Sequence, residues 1–569
     1  MIRRIIVGIL ATVGALTLLF LVIAGIGGWW LAGSLGRPPA LPDRILLEAD
    51  LRGTLPEASL LPDLTEFGLR PELTVVNVVS ALDAAGDDPR VAGLVAHVED
   101  SEHGLAVAQE LREAVERFRA KGKFAIAHAD SFGELGPGNE GYYLAAAFDR
   151  IDMQPVGLVG LTGIMAQVPF VKDLLTRLGV DFEVARRAEY KTAFESLSET
   201  AITAPNKEML TDIVDGLTTQ LVDGIAEGRK LPPERVRQIL GAGPYTGSEA
   251  VSLGLIDQIR HSDATLDDAL GRAGAHAEVV PLDLYAEAVP APTGKAAKVA
   301  LVRAVGEIHR GNGSPARSIG ADDTSGALAA AGEDSGIEAI LLRIDSPGGS
   351  AVASETVANE VRKAVARGKP VIVSMGNTAA SGGYWIAMNA TRIVAQPATL
   401  TGSIGVIAGK PVFAEAWNKL GVTWAEIPGG ENAGFWSMNL PYTDAERARL
   451  EAILDDLYGA FTKGVADGRK LSPEEVDRLA RGRVWLGATA VGNGLVDKLG
   501  GFDEAVGLIR QELGLPGDAP VSLEPFPPRR SAFEELADWV QNGIGVTAAE
   551  IMKGVLTRLT VSAALPTFR

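Results

Sequence analysis

The sequence predicts an α/β fold built twice in tandem, and two observations predict it: an ordered internal repeat, and strand–helix alternation within each copy. Gly228-Arg-Lys-Leu-Pro-Pro-Glu recurs as Gly468-Arg-Lys-Leu-Ser-Pro-Glu, and Gly254-Leu-Ile-Asp recurs as Gly494-Leu-Val-Asp. Upstream, Gly141-Tyr-Tyr-Leu-Ala matches Gly383-Tyr-Trp-Ile-Ala, and Leu161-Thr-Gly matches Leu400-Thr-Gly. The pairs keep their order and an offset of about 240 residues, which marks duplication of a whole domain, not a solenoid of short units.

Within the second copy, Glu338–Ile344 (EAILLRI) reads as a buried strand and Asp345-Ser-Pro-Gly-Gly-Ser as the turn after it. Val357, Val361 and Val365 recur every fourth residue and mark one face of a helix, and Pro370-Val-Ile-Val-Ser-Met is the next strand. In the first copy, Val91–Val98, a helix over Leu105–Arg119 and Phe124–His128 repeat the pattern. Strand–helix–strand alternation implies parallel pairing under covering helices. The expected organisation is an apolar segment (1–36), a first domain (37–290), a second domain (295–530) joined to it near Val289–Lys295, and a helical tail (531–569).

Composition excludes several functions. Apolar residues make up 47% and charged residues 22% of the 569, the balance of an ordinary globular protein. The net charge of −19 opposes nonspecific binding to nucleic acid or anionic lipid. Cysteine is absent, so disulfides, thiolate metal sites and cysteine nucleophiles are excluded. There is no HExxH pair, no carboxylate–histidine cluster at ligand spacing in the sequence, and no phosphate loop. The reading therefore assigns no metal and no cofactor.

From Ile5 to Gly36 no charged residue occurs, a run of roughly 30 where about 20 span a bilayer. Arg3 and Arg4 precede it, and Trp29–Trp30 lie near its far end, where indoles favour the interface. It reads as an uncleaved anchor with the arginines in the cytoplasm and the body outside. Arg37-Pro-Pro-Ala-Leu-Pro follows as a stiff linker.

Two glycine-rich turns of the second copy carry candidate chemistry. In Asp345-Ser346-Pro347-Gly348-Gly349-Ser350, paired glycines permit positive φ and close approach of backbone N–H groups to a ligand. In Asn377-Thr-Ala-Ala-Ser381-Gly-Gly-Tyr-Trp, a helix beginning near Ser381 sets its hydroxyl at the positive end of the dipole. The N–H groups of Gly382 and Gly349 are then placed to share an oxyanion. A serine nucleophile needs a base, and no histidine follows His309. His128 falls within a predicted strand and reads as a packed core residue. A buried lysine can serve if desolvation lowers its pKa, but composition selects none among many.

Ala379-Ala-Ser381-Gly-Gly-Tyr-Trp, with Asp345-Ser-Pro-Gly-Gly-Ser before it and Thr401-Gly-Ser403-Ile-Gly-Val after it, resembles the signal peptide peptidase A family, the S49 serine proteases. Glu189-Tyr-Lys191-Thr-Ala-Phe-Glu in the first copy extends the likeness to the long, tandem form. The resemblance implies Ser381 as nucleophile, Lys191 as base, Gly349 and Gly382 as oxyanion-hole positions, and Ser403 as a hydroxyl that orients the lysine. It also implies a Clp protease/crotonase-type fold in each copy, cleaved signal peptides and other small or apolar peptides as substrates, a bowl-shaped homotetramer, and a bacterial inner-membrane protein with its body on the periplasmic side. By the repeat offset, Ser381 falls opposite Asn139 and Lys191 opposite Ala433, so each copy keeps one half of the pair. The tail after about Ser531, with Trp539, Val540, Ile544, Val546 and Ile551, has no counterpart in that likeness. Two rivals make different demands. A crotonase-type acyl-CoA enzyme needs no lysine and no anchor, and a silent membrane scaffold needs neither Ser381 nor Lys191.

Overall fold

The computed structural model describes residues 41–59, 72–99, 101–134, 136–289, 296–314 and 317–528. The expected anchor and C-terminal tail lie outside these residues. Among the described residues, no helix is long and apolar enough to cross a membrane.

The first sheet is parallel throughout. It contains β1 (Ile45–Asp50), β2 (Val91–His97), β3 (Phe124–Ala129) and β4 (Arg150–Met153), lying in the order β4-β3-β2-β1. Gln258–Ile259 flanks β4 and Glu278–Pro281 flanks β1. The second sheet repeats this path with Lys498–Leu499, Arg392–Ala395, Val371–Ala380, Ala339–Ser346, Ala297–Val305 and Val521–Phe526, again all parallel. Its one branch is Leu400–Gly402, which pairs with the end of Val371–Ala380 and, antiparallel, with Val484–Leu486. Helices cover both faces, so the central strands read as unbroken apolar runs and not as alternating ones. Every residue of β3 is buried, as is every residue from Ala339 to Ile344.

The repeated motifs meet each other in space. Tyr142 Oη donates to Leu255 O at 2.7 Å, and Tyr384 Oη donates to Leu495 O at 2.9 Å. Arg229 bonds Gly254 O and Asp257, as Arg469 bonds Gly494 O and Asp497. Helices Ala204–Arg229 and Asp444–Arg469 are each 26 residues long and end on a left-handed lysine, Lys230 and Lys470. Each Gly-Arg-Lys motif is thus a helix end whose arginine ties the helix to the Gly-Leu-Ile/Val-Asp turn.

Among the contacts that join the copies, two features bear most on the site. One apolar core runs through both: β1, β2 and helix Leu105–Ala120 share it with Leu341, Ile372, Phe502 and Leu508. In its midst the Arg343 guanidinium, 0% exposed, is held by Glu57 at 2.6 Å and Glu110 at 2.8 Å, both from the first copy. Ser374 Oγ accepts a further bond at 2.8 Å, and the Phe502 ring lies 4.5 Å away. The second feature, which the sequence pattern does not announce, is an antiparallel ribbon pairing Asp181–Arg187 with Val406–Val412.

Removing the guanidinium leaves two carboxylates buried without a cation, which costs about 3–5 kcal/mol in comparable sites. Arg343→Met is therefore expected to lower folding stability by about that much, read from the urea midpoint, and Arg343→Met/Glu57→Gln/Glu110→Gln should recover part of it. A single variant as stable as the parent would mean that the triad does not hold the copies together.

Candidate active site

Strand Val371–Ala380 delivers the chain to Ser381, and helix Gly382–Ala387 leaves from it. Ser381 sits at φ +54° and ψ −117°, a conformation that costs an L-residue energy and persists only when its surroundings fix it. Two bonds do so: Ser381 N–H donates to Gly402 O at 2.8 Å, and Trp385 N–H donates to Ser381 O at 2.9 Å. The sharp turn lifts the hydroxyl off the strand end at the start of the helix.

The loop before it is built to touch it. Ser346 Oγ donates to Gly306 O and accepts from Gly348 N–H, which fixes the Asp-Ser-Pro-Gly-Gly turn. Gly348 has φ +108°, and a Cβ there would lie 2.8 Å from Ser381 Cβ and 2.7 Å from Gly382 N. On Gly382 a Cβ would lie 3.2 Å from Gly349 N. Gly349 and Gly382 therefore lie close to each other beside Ser381, and neither N–H has an acceptor among the described residues.

Lys191 arrives from the other copy. The ribbon ends with Arg187 opposite Val406, three residues beyond Ser403, and Tyr190 N–H then donates to Arg481 O at 3.1 Å. Gly482, at φ +83°, makes the approach possible, because a Cβ there would lie 2.4 Å from Lys191 N. Lys191 is 6% exposed, and its Nζ lies 3.0 Å from Ser381 Oγ, 2.9 Å from Ser403 O and 2.9 Å from Ser403 Oγ. No carboxylate among the described residues pairs with it. Burial alone pulls its pKa down to about 8, since the charged form loses solvation that nothing replaces.

All five residues singled out in the sequence thus lie together: Ser381, Lys191, Ser403, Gly349 and Gly382. Gly348, Gly402 and Gly482 belong with them. Gly348 is legible in the paired-glycine turn, whereas Gly482 carries no signal beyond its type. The matching place in the first copy has other contents. Asn139 Nδ2 donates to Gly163 O at 2.8 Å, and Oδ1 accepts from the N–H groups of Thr162 and Gly163, so the side chain ties a loop. Ala433, opposite Lys191, is exposed.

A lysine with a depressed pKa destabilises the fold wherever the unfolded chain holds its proton, because the folded state must either bury the charge or give the proton up. Between about pH 8 and the ordinary lysine value of 10.5, the unfolded state binds more protons, so stability rises with pH across that window. Below about pH 8 the whole cost, about 3 kcal/mol, is present. Lys191→Met is expected to flatten this segment of the stability–pH curve relative to the parent. Curves for parent and Lys191→Met that run parallel through the window would show that the amine is not desolvated.

The chain is similar to known proteins along most of its length. The family model "Peptidase family S49" matches residues 118–279 and 363–515, one segment in each copy. "Serine protease SPPA, chloroplastic" from Arabidopsis thaliana is 31% identical over 490 residues, 84% of this chain and 71% of that protein. "Protease 4" from Haemophilus influenzae is 31% identical over 481 residues, 80% and 76% of the two chains. "Protease 4" from Salmonella typhi is 30% identical over 516 residues, 86% and 81%. Matched in both copies and along most of each relative, the chain belongs to peptidase family S49 and is a serine protease.

Proposed function

We propose that this protease cuts peptides with a Ser381–Lys191 dyad assembled from both copies of one chain, and that the observation carrying this is the 3.0 Å contact between Lys191 Nζ and Ser381 Oγ. A neutral amine has two N–H bonds and one lone pair. The carbonyl and hydroxyl of Ser403 take the two N–H bonds, which aims the lone pair at the Ser381 hydroxyl. Ser381 Oγ attacks the scissile carbonyl carbon while its proton passes to Lys191. The developing oxyanion is received by the N–H groups of Gly349 and Gly382, an arrangement of the kind worth about 3–4 kcal/mol per donor in acyl transfer. The lysine then gives its proton to the leaving amine, and water, activated by the same amine, releases the acyl group from Ser381. The second α/β copy supplies the strand end, the helix start and the paired-glycine turn that a crotonase-type fold uses for such an oxyanion.

Cleaved signal peptides and other small or apolar peptides are the proposed substrates, because the motif likeness points to that class. The charge-free run from Ile5 to Gly36 supports an anchor with the body on the outer face of a bacterial inner membrane. A homotetramer is proposed on the motif likeness alone. An acyl-CoA enzyme has no use for a desolvated lysine on its serine, and a scaffold has no use for either residue.

Ser381→Ala and Lys191→Arg are each expected to lose peptide hydrolysis while remaining folded, because arginine keeps its proton. For the parent, kcat/KM should rise with pH to a plateau above about 8. Ser403→Ala, which removes one of three bonds to the amine, should cost about tenfold. Full-length Lys191→Ala mixed with full-length Ser381→Ala should stay inactive, since both residues come from one chain; activity regained after subunit exchange would place the dyad between chains. Protease added to intact spheroplasts should digest the body, and protection until lysis would reverse the topology.

A further inference from the structure

The register of the first sheet sets a row of polar residues across strands that are otherwise apolar. Asp50 pairs with His97, His97 with His128, and His128 with Asp152. Residues in register on neighbouring strands project to the same face. On that face Leu46, Val95 and Ile126 pack against Ala269 and Ala273 of helix Ser262–Ala273, and the histidines lie two residues beyond this patch. Glu99 follows His97 by two residues. Ligand atoms of His97, Glu99 and His128 all lie within 4.8 Å of one another.

Two of these side chains are buried with a polar atom unused. His128 is 0% exposed and Glu99 5%, yet among the described residues His128 Nδ1 and Glu99 Oε2 have no hydrogen-bond partner. Such atoms are costly to bury and call for an explanation. The other atoms are spoken for in a consistent way. His128 Nε2 lies 3.2 Å from Arg260 O, which as an acceptor fixes the proton on Nε2 and leaves the lone pair on Nδ1. His97 Nε2 lies 3.4 Å from Glu48 Oε1, and Arg52 reaches only Glu99 Oε1, at 3.4 Å, while bound to Asp50 at 2.7 Å. An imidazole whose second nitrogen donates to a carbonyl or a carboxylate is the usual arrangement around a metal.

The second sheet shows what this place holds when a cation is built in. There Arg343 pairs with Ser374 as His97 pairs with His128, and Asp345 follows Arg343 by two residues as Glu99 follows His97. The guanidinium fills that place in the second copy. In the first copy, two imidazoles and a carboxylate oxygen face the same space.

We propose that His97, Glu99 and His128 form a site for one divalent cation of the zinc class, bound through His128 Nδ1, Glu99 Oε2 and one imidazole nitrogen of His97, with solvent completing the coordination. Two nitrogens and one carboxylate suit a borderline ion of this kind better than calcium or magnesium, which prefer all-oxygen sets. His97 is only half-buried, which gives the ion a way in. Sequence spacing conceals the site, because the three residues gather across two strands and not along one helix.

The test uses the purified full-length protein after dialysis against a chelator, titrated with zinc in competition with a chromophoric chelator and with cobalt by visible absorption. One equivalent per chain is expected, with the cobalt bands of a low-coordinate nitrogen–oxygen site and a rise in melting temperature on adding zinc. Glu99→Gln, which keeps shape, and His97→Ala, at a half-buried position, should each weaken binding at least about 100-fold, and Glu48→Gln about tenfold, through the imidazole it faces. Retained far-ultraviolet dichroism separates loss of the site from loss of the fold. Zinc uptake unchanged in both Glu99→Gln and His97→Ala, or no saturable uptake by the parent, overturns the proposal.

Discussion

The site depends on holding two copies of one fold in fixed register, because the hydroxyl of Ser381 and the amine of Lys191 belong to different copies. Hydrogen-bond reach tolerates errors of only a few tenths of an ångström. The shared apolar core supplies adhesion, but apolar contact is nondirectional and does not fix a register. Direction comes from the Arg343 clamp on Glu57 and Glu110, and from the ribbon that ends Asp181–Arg187 beside Ser403. The ribbon carries Lys191 to the serine, and the clamp keeps the second sheet where the ribbon meets it.

Two of the cations buried near this interface are treated in opposite ways. Arg343 is surrounded by two carboxylates, a hydroxyl and a ring, so its charge is retained and its pKa is driven up. Lys191 is given a carbonyl and two hydroxyls, but no carboxylate, so its proton is easily lost. The same burial thus builds a structural ion pair in one place and, in the proposed dyad, a base in the other. The difference lies in which neighbours carry charge. A carboxylate placed beside Lys191 would restore its proton and remove its use as a base.

Much of this architecture is legible in the amino-acid sequence alone. The duplication, the parallel strands and the helix marked by Val357, Val361 and Val365 follow from offset and periodicity, since strands buried on both faces read as apolar runs. Ser381 and the two glycines announce themselves through turn chemistry. Lys191 does not: a lone lysine has no local pattern, and only likeness to a family's motif selects it. The ribbon, Gly482 and the Arg343 triad are not visible there, because each depends on residues brought together from far apart in the chain. The His97–Glu99–His128 cluster is hidden for the same reason, and strand pairing creates it. Short local patterns record helix faces and turns; they do not record which strand lies beside which.

The central claim is that Ser381 is activated by a lysine that desolvation keeps ready to lose its proton. It is tested most directly by the rate at which a fluorophosphonate labels the full-length protein, measured by intact mass across pH and mapped by peptide sequencing. One label per chain is expected, on Ser381, with a rate that rises through a midpoint near pH 8 and collapses in Lys191→Met. Labelling at another residue, or a rate at Ser381 indifferent to both pH and Lys191→Met, would contradict it.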